Sequence, residues 1–214
     1  MYAPKPKLKR SFYSRDTLTV ARELIGKRLV HRSEGGLTVG EIVETEAYIG
    51  PFDPASHAYQ GRRTARTEVQ FGPAGHAYIY SVFGTNYCFD ITTGPLGRPE
   101  VVLIRALRPL YGIEIMAKRR GIMLDTTSRS VERPIRNLCN GPGKLCQAMG
   151  ITKELYGIDV CGDILYLEEG DRKIRPSDIA VTPRVGIDYA GEAKNYPWRF
   201  CLSDCIYVSR PVHH

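Results

Sequence analysis

Apolar residues recur every three or four positions across residues 16–26, where Leu18, Ala21, Leu24 and Ile25 share one side and Gly26 ends the run, which predicts a helix. The period then drops to two. Residues 27–31 and 37–48 read as strands joined by the turn Ser33-Glu34-Gly35-Gly36. Residues 50–71 follow as a polar stretch rich in Gly, Pro and Arg; a run of that length without structure in a compact domain is functional or disordered. Three further strands are expected at 77–82, 87–92 and 100–106, with turns at Phe83-Gly84 and Gly94-Pro95-Leu96-Gly97. Residues 110–120 read as a helix closed by basic residues and Gly121, and 126–134 as a loop. Asn140-Gly141-Pro142 then opens a helix that stops at Gly150, with Asn140 as its N-cap and Lys144 beside a helix start suited to anions.

Strands come in clusters instead of alternating with helices, so the pattern predicts an α+β domain with an antiparallel or mixed sheet. No repeat or low-complexity linker divides the chain. Residues 1–214 form one domain in this reading, with 1–10 as a flexible basic tail. A length of 214 residues, 43% of them hydrophobic, supports one core and excludes a largely disordered chain. No long uncharged apolar run is present, and no apolar segment follows the N-terminal basic residues, so neither a membrane span nor a secretory signal is expected. The expected location is inside the cell: cytoplasm or nucleoid in a bacterium or archaeon, nucleus in a eukaryote.

A net charge of +7 biases the surface toward polyanions such as nucleic acid. Six cysteines at irregular spacing form no Cys-x-x-Cys pair and the five histidines supply no partner set, so no metal is expected and the thiols read as reduced. Neither a Gly-x-Gly-x-x-Gly nor a Walker sequence occurs, and no cofactor is expected.

The richest segment is Gly40-Glu-Ile-Val-Glu-Thr-Glu-Ala-Tyr48. Strand alternation puts Glu44, Glu46 and Tyr48 on one face and Val43, Thr45 and Ala47 on the other. On a solvated face the two carboxylates are ordinary surface groups. On a face lining a cleft, their proximity would raise one pKa and favour general acid or base work. The segment Ser56-His-Ala-Tyr-Gln-Gly-Arg62-Arg63-Thr64-Ala-Arg66 is either a solvated basic loop or a phosphate-contacting one. Tyr78, Tyr80 and Phe83 run along a strand into a Gly turn, where a Phe can be core or a projecting wedge. Arg105 sits in the apolar run Val101-Val-Leu-Ile-Arg-Ala-Leu107, and a buried Arg demands a carboxylate, with Glu46 and Asp90 as the candidates.

Together these segments resemble the alkyladenine (3-methyladenine, or methylpurine) DNA glycosylase family. The matching stretches are Ile42-Val-Glu-Thr-Glu-Ala-Tyr48, His57 with its Arg-rich loop, Val102-Leu-Ile-Arg-Ala-Leu107, Asn140-Gly-Pro-Gly-Lys-Leu-Cys146, Arg184-Val-Gly-Ile-Asp188, Tyr196-Pro-Trp-Arg-Phe200 and Tyr207-Val-Ser-Arg210. They run in order from about residue 10 to residue 210.

The resemblance implies a compact domain with a curved antiparallel sheet, flanked by helices and without a helix-hairpin-helix. It also implies a monomeric, monofunctional enzyme of base excision repair that flips damaged purines out of duplex DNA and hydrolyses their N-glycosidic bond. Carried over by position, Glu46 resembles the base that activates water, with Arg105 and the Val185 carbonyl helping to hold that water. Tyr48, His57 and Tyr80 resemble the pocket walls. Arg62, Arg63, Thr64, Arg66 and Lys144 are the expected phosphate contacts, and Phe83 the wedge. Two positions depart from the family pattern: Phe83 stands where Tyr is usual, and Asp90 where Asn is common. An ionised Asp90 would attract a cationic base, whereas an Asp90 paired with an arginine would leave specificity unchanged. The rival readings are a catalytically silent damage-binding module and a small-molecule nucleoside hydrolase.

Overall fold

A computed structural model describes residues 2–82, 84, 86–124 and 132–212. Phe83 lies outside the described residues, as does most of the expected 126–134 loop. Among the described residues there are eight strands: β1 (Arg28–Ser33), β2 (Gly36–Ile49), β3 (Ala77–Val82), β4 (Asn86–Thr93), β5 (Glu100–Tyr111), β6 (Leu165–Glu168), β7 (Ile179–Thr182) and β8 (Arg199–Leu202). The helices are α1 (Arg10–Tyr13), α2 (Thr17–Glu23), α3 (Ile113–Arg120), α4 (Glu132–Arg136) and α5 (Pro142–Met149).

All strand pairs are antiparallel, in the order β3-β4-β5-β2-β1-β6, and β8 joins β2 to β7. Strand β2 organises the sheet. Its first half pairs with β1, and Glu44–Glu46 pairs with β8 on that same edge, while β5 follows the opposite edge. This change of neighbour curls the sheet. One face packs on α2 and α5, which bury Val20 and Ala21, and Leu145, Cys146, Ala148 and Met149, against Val43, Ala47, Phe89, Ile91, Val102 and Ile104. Asp16 caps α2 by accepting from the Thr19 N–H, and the hydroxyl of Thr45 ties β2 to the Ala21 carbonyl at 2.8 Å. The α+β expectation is borne out, and no helix-hairpin-helix occurs among the described residues.

Four details differ from the sequence reading. Leu110 and Tyr111 extend β5 instead of opening a helix, because the chain turns at Gly112. Gly112 has φ +71°, and a Cβ there would stand 2.3 Å from the Leu37 carbonyl oxygen. Helix α5 is capped by Gly141 without a side-chain bond; Asn140 instead accepts from Lys144 Nζ at 2.9 Å. Residues 132–134, expected in a loop, belong to α4. The basic N-terminus, read as a flexible tail, lies along β6: Leu8 is buried, its N–H donates to the Leu167 carbonyl, and the Glu169 N–H donates to the Pro6 carbonyl.

Candidate active site

Glu44 and Glu46 do share a face of β2, and that face is internal: neither side chain has any exposed surface. Two compensating bulges make this possible. Val43 is an extra residue on β2, and Arg105 an extra residue on β5 in the next rung. The first lets Ile42 and Val43 both enter the core, and the second re-aims Arg105 toward the carboxylates.

The two carboxylates play different parts. Glu44 Oε1 accepts from Arg105 Nε (3.0 Å), Arg199 Nε (2.7 Å) and Ser209 Oγ (2.8 Å), and its Oε2 accepts from the Ser209 N–H (2.5 Å). Burial alone would push this carboxyl up, but Arg105, Arg199 and the Ser209 N–H together hold it below the usual carboxylate range. Glu44 is an anchor with its lone pairs committed. The expectation that Arg105 meets Glu46 or Asp90 is therefore half right: it bridges Glu44 and Glu46, and makes no ion pair with Asp90.

Glu46 accepts from the Tyr48 hydroxyl (2.8 Å), Arg105 Nη1 (3.2 Å) and the Val185 N–H (2.7 Å). Val185 thus touches Glu46 through its amide. Tyr48, Arg105 and Val185 all line a cavity of about 260 Å³, and Glu46 stands one layer behind them. That volume falls near the lower end for ligand clefts, about 300–1,000 Å³, and suits one flat heterocycle better than a whole nucleotide. Tyr48 is fixed from behind by Arg184, whose guanidinium lies 4.6 Å from the ring centroid and forks onto Asp53 at 2.5 and 2.8 Å. Asp53 also accepts from the Ile49 and Ala55 N–H groups, so one buried pair pins the start of the 50–71 segment against β2. That segment is ordered as three 3₁₀ turns.

The opposite wall is aromatic. His57 Nδ1 lies 2.8 Å from the Tyr78 hydroxyl, and its ring stands perpendicular to Tyr80 with centroids 4.7 Å apart. Burial, helped by the nearby Arg66 guanidinium, pulls the imidazole down to about 4, so His57 is uncharged near neutrality. Cys88 also lines the cavity; burial, with Asp90 nearby, pushes its thiol up to about 12.

Asp90 completes the wall from β4. It is buried and its Oδ1 has no hydrogen-bond partner among the described residues. Burial first, then the Glu46 charge, raise its carboxyl well above the ordinary range. The like-charge effect expected for the β2 carboxylates thus falls on Asp90. A group raised on folding contributes stability below its unfolded pKa and loses it as pH climbs through the folded value. Asp90→Asn, neutral at every pH, is therefore expected to raise the melting temperature at pH 7 relative to the parent. The gain should vanish near pH 3. Melting curves at the two pH values check this, and an equal difference at both would contradict it.

The expected phosphate contacts gather beside this mouth. A groove of about 400 Å³ lined by Arg62, Thr64 and Arg66 shares Ser56, His57 and Tyr189 with the cavity. Arg66 lies over the Tyr80 ring at 5.1 Å, while Arg63 is forked onto Glu68 at 2.5 and 2.9 Å. Lys144 is exposed near the start of α5, and Pro142 of that helix lines the cavity. Sequence reasoning missed Arg184 and Asp53 as positioning residues, and Tyr189, 70% exposed at the rim. Arg184 belongs to the stretch Arg184-Val-Gly-Ile-Asp188, but no local pattern marks Asp53 as its partner.

The geometry is thus an aromatic cavity with room for a flat heterocycle, backed by a hydrogen-bonded carboxylate and rimmed by basic side chains. Residues 11–206 match the methylpurine-DNA glycosylase (MPG) family, and the chain belongs to that family. A relative from Clostridium acetobutylicum is 51% identical over 94% of this chain and 98% of its own length. Another, from Desulfitobacterium hafniense, is 49% identical over 95% and 98%. Both carry the provisional name 3-methyladenine DNA glycosylase. No described helix is long and apolar enough to cross a membrane.

Proposed function

We propose that this protein hydrolyses the N-glycosidic bond of alkylated or deaminated purines in duplex DNA, 3-methyladenine and 7-methylguanine foremost and hypoxanthine as a neutral lesion, as the first step of base excision repair. The observation that carries the reading is Glu46, held by three donors directly behind a cavity walled by Tyr48, His57, Tyr80 and Asp90.

A base within the duplex is out of reach, so the nucleotide rotates out and its base enters the cavity. The uncharged His57 and the Tyr48 and Tyr80 rings offer π faces to a cationic purine without opposing its charge, worth about 0.5–2 kcal/mol. Phe83 serves as the plug in this reading, by resemblance, while Arg62, Arg63, Thr64, Arg66 and Lys144 take phosphates. For Arg63 this means exchanging Glu68 for a phosphate. The positive charge on an alkylated purine makes it a good leaving group, so one carboxylate activating water suffices. Arg105 and the Val185 backbone hold that water, which reaches Glu46 where the 3.2 Å Arg105 contact, the longest of the three, gives way. The Glu46 carboxylate also stabilises positive charge developing on the sugar.

The test is release of free base from duplexes carrying 3-methyladenine or hypoxanthine, with undamaged duplex as control. No release from either lesion overturns the reading in favour of a silent damage-binding module; release from free nucleosides with no salt dependence would favour a nucleoside hydrolase. We further propose direct hydrolysis without strand cleavage. Among the described residues lining the cavity none is a lysine, so none of them offers an ε-amino group to form an imine. Borohydride added during turnover is expected to trap no protein–DNA adduct, and a trapped adduct would refute this.

A further inference from the structure

Asp90 is the unmatched group of the cavity. Glu44 and Glu46, the neighbouring buried carboxylates, are each held by several donors, whereas Asp90 Oδ1 has none among the described residues. Arg105, which lines the same cavity, is spent on the two glutamates. A buried carboxylate without a counter-charge is costly, which favours the protonated form.

We propose, building on the glycosylase reading, that Asp90 selects positively charged bases by exchange: it is a neutral acid in the free pocket and becomes a carboxylate opposite a cationic alkylpurine, its proton passing to solvent. An uncharged base leaves the proton in place. Charge discrimination is thereby tied to pH.

The surroundings keep the effect on Asp90. On β4 and α5, the Cys88 and Cys146 thiols are raised by burial and stay protonated. The Tyr78 and Tyr80 phenols of β3 and Tyr48 of β2 are likewise raised, all by burial first. His57 is lowered to about 4. These groups hold their charge between pH 6 and 8. Glu46 on β2 pushes the Asp90 carboxyl further up, and the exposed Arg66 is the cation that draws it down. A cationic base is a second such cation, placed against the carboxyl itself.

The experiment compares two duplex probes that resist hydrolysis: a 2′-fluoro nucleotide bearing 7-methyladenine, which is cationic, and its uncharged isostere bearing 7-methyl-7-deazaadenine. For the parent protein, preference for the cation should grow by up to about tenfold per pH unit between pH 6 and 8, the slope for one proton released. Asp90→Asn keeps the shape and one donor and one acceptor, and its preference should be flat. Calorimetry of the parent in two buffers of different ionisation enthalpy should show one proton released with the cationic probe and none with the isostere; this needs no variant. A flat preference in the parent, equal slopes in both proteins, or no proton release overturns the proposal. If neither probe binds better than undamaged duplex, the glycosylase reading fails and the proposal with it; if both bind, only the charge exchange is at stake.

Discussion

Glu46→Gln is expected to lower single-turnover base release by at least about 10²–10⁴-fold, the usual worth of a general base, while lesion-bearing duplex still binds. The amide keeps the shape of the side chain, and its carbonyl can still accept from Tyr48 or the Val185 N–H. It cannot take a proton from water. Glu44, two residues earlier on the same face, is no substitute, because Arg105, Arg199 and Ser209 already occupy it. A variant that releases base at close to the parental rate would remove Glu46 from the mechanism and turn attention to Asp90, the other carboxyl at this cavity.

The largest expected loss of stability belongs to Glu44. Glu44→Gln leaves the Arg105 and Arg199 guanidiniums buried without their shared counter-charge, a change that typically costs about 3–5 kcal/mol. The sign of its pH dependence follows from the carboxyl being held below its ordinary value of 4.5. Its contribution is present above that value and fades as pH falls through the lower, folded one. Urea unfolding from pH 7 down to pH 3 should show the parent losing its advantage over the variant on the acid side. A variant within 1 kcal/mol of the parent at pH 7, the range of an exposed ion pair, would show the network to be dispensable.

These two residues also mark what the sequence could disclose. Alternation along β2 was enough to put Glu44, Glu46 and Tyr48 together, since strand periodicity is local. It could not say which glutamate backs the cavity and which anchors the arginines. That depends on Arg199 and Ser209, 155 and 165 residues further along the chain. Arg105 announced its need of a carboxylate through its apolar neighbours, yet the choice of Glu44 over Asp90 was made by a bulge that no residue type signals. The order within the 50–71 segment was hidden for the same reason. It rests on the Arg184–Asp53 pair across 131 residues and on Tyr156, whose hydroxyl donates to the Arg66 carbonyl. Boundaries failed where a glycine decided them, as at Gly112.

The path of the N-terminal segment bears on how an edge of the sheet is covered. A sheet that ends in an unprotected strand invites a neighbouring molecule to add another. Here β6 is the last strand of its side, and the chain from Pro6 to Leu8 occupies its outer edge through bonds to Leu167 and Glu169. Pro4 and Pro6, lacking N–H groups, offer little for a further strand to build on. At the opposite side, the backbone of Gly157 and Ile158 covers the start of β3 through Ala77. Trimming the first nine residues would leave the base cavity intact and bare the β6 edge, so its consequence would be self-association at high concentration, with the chemistry of each molecule unchanged.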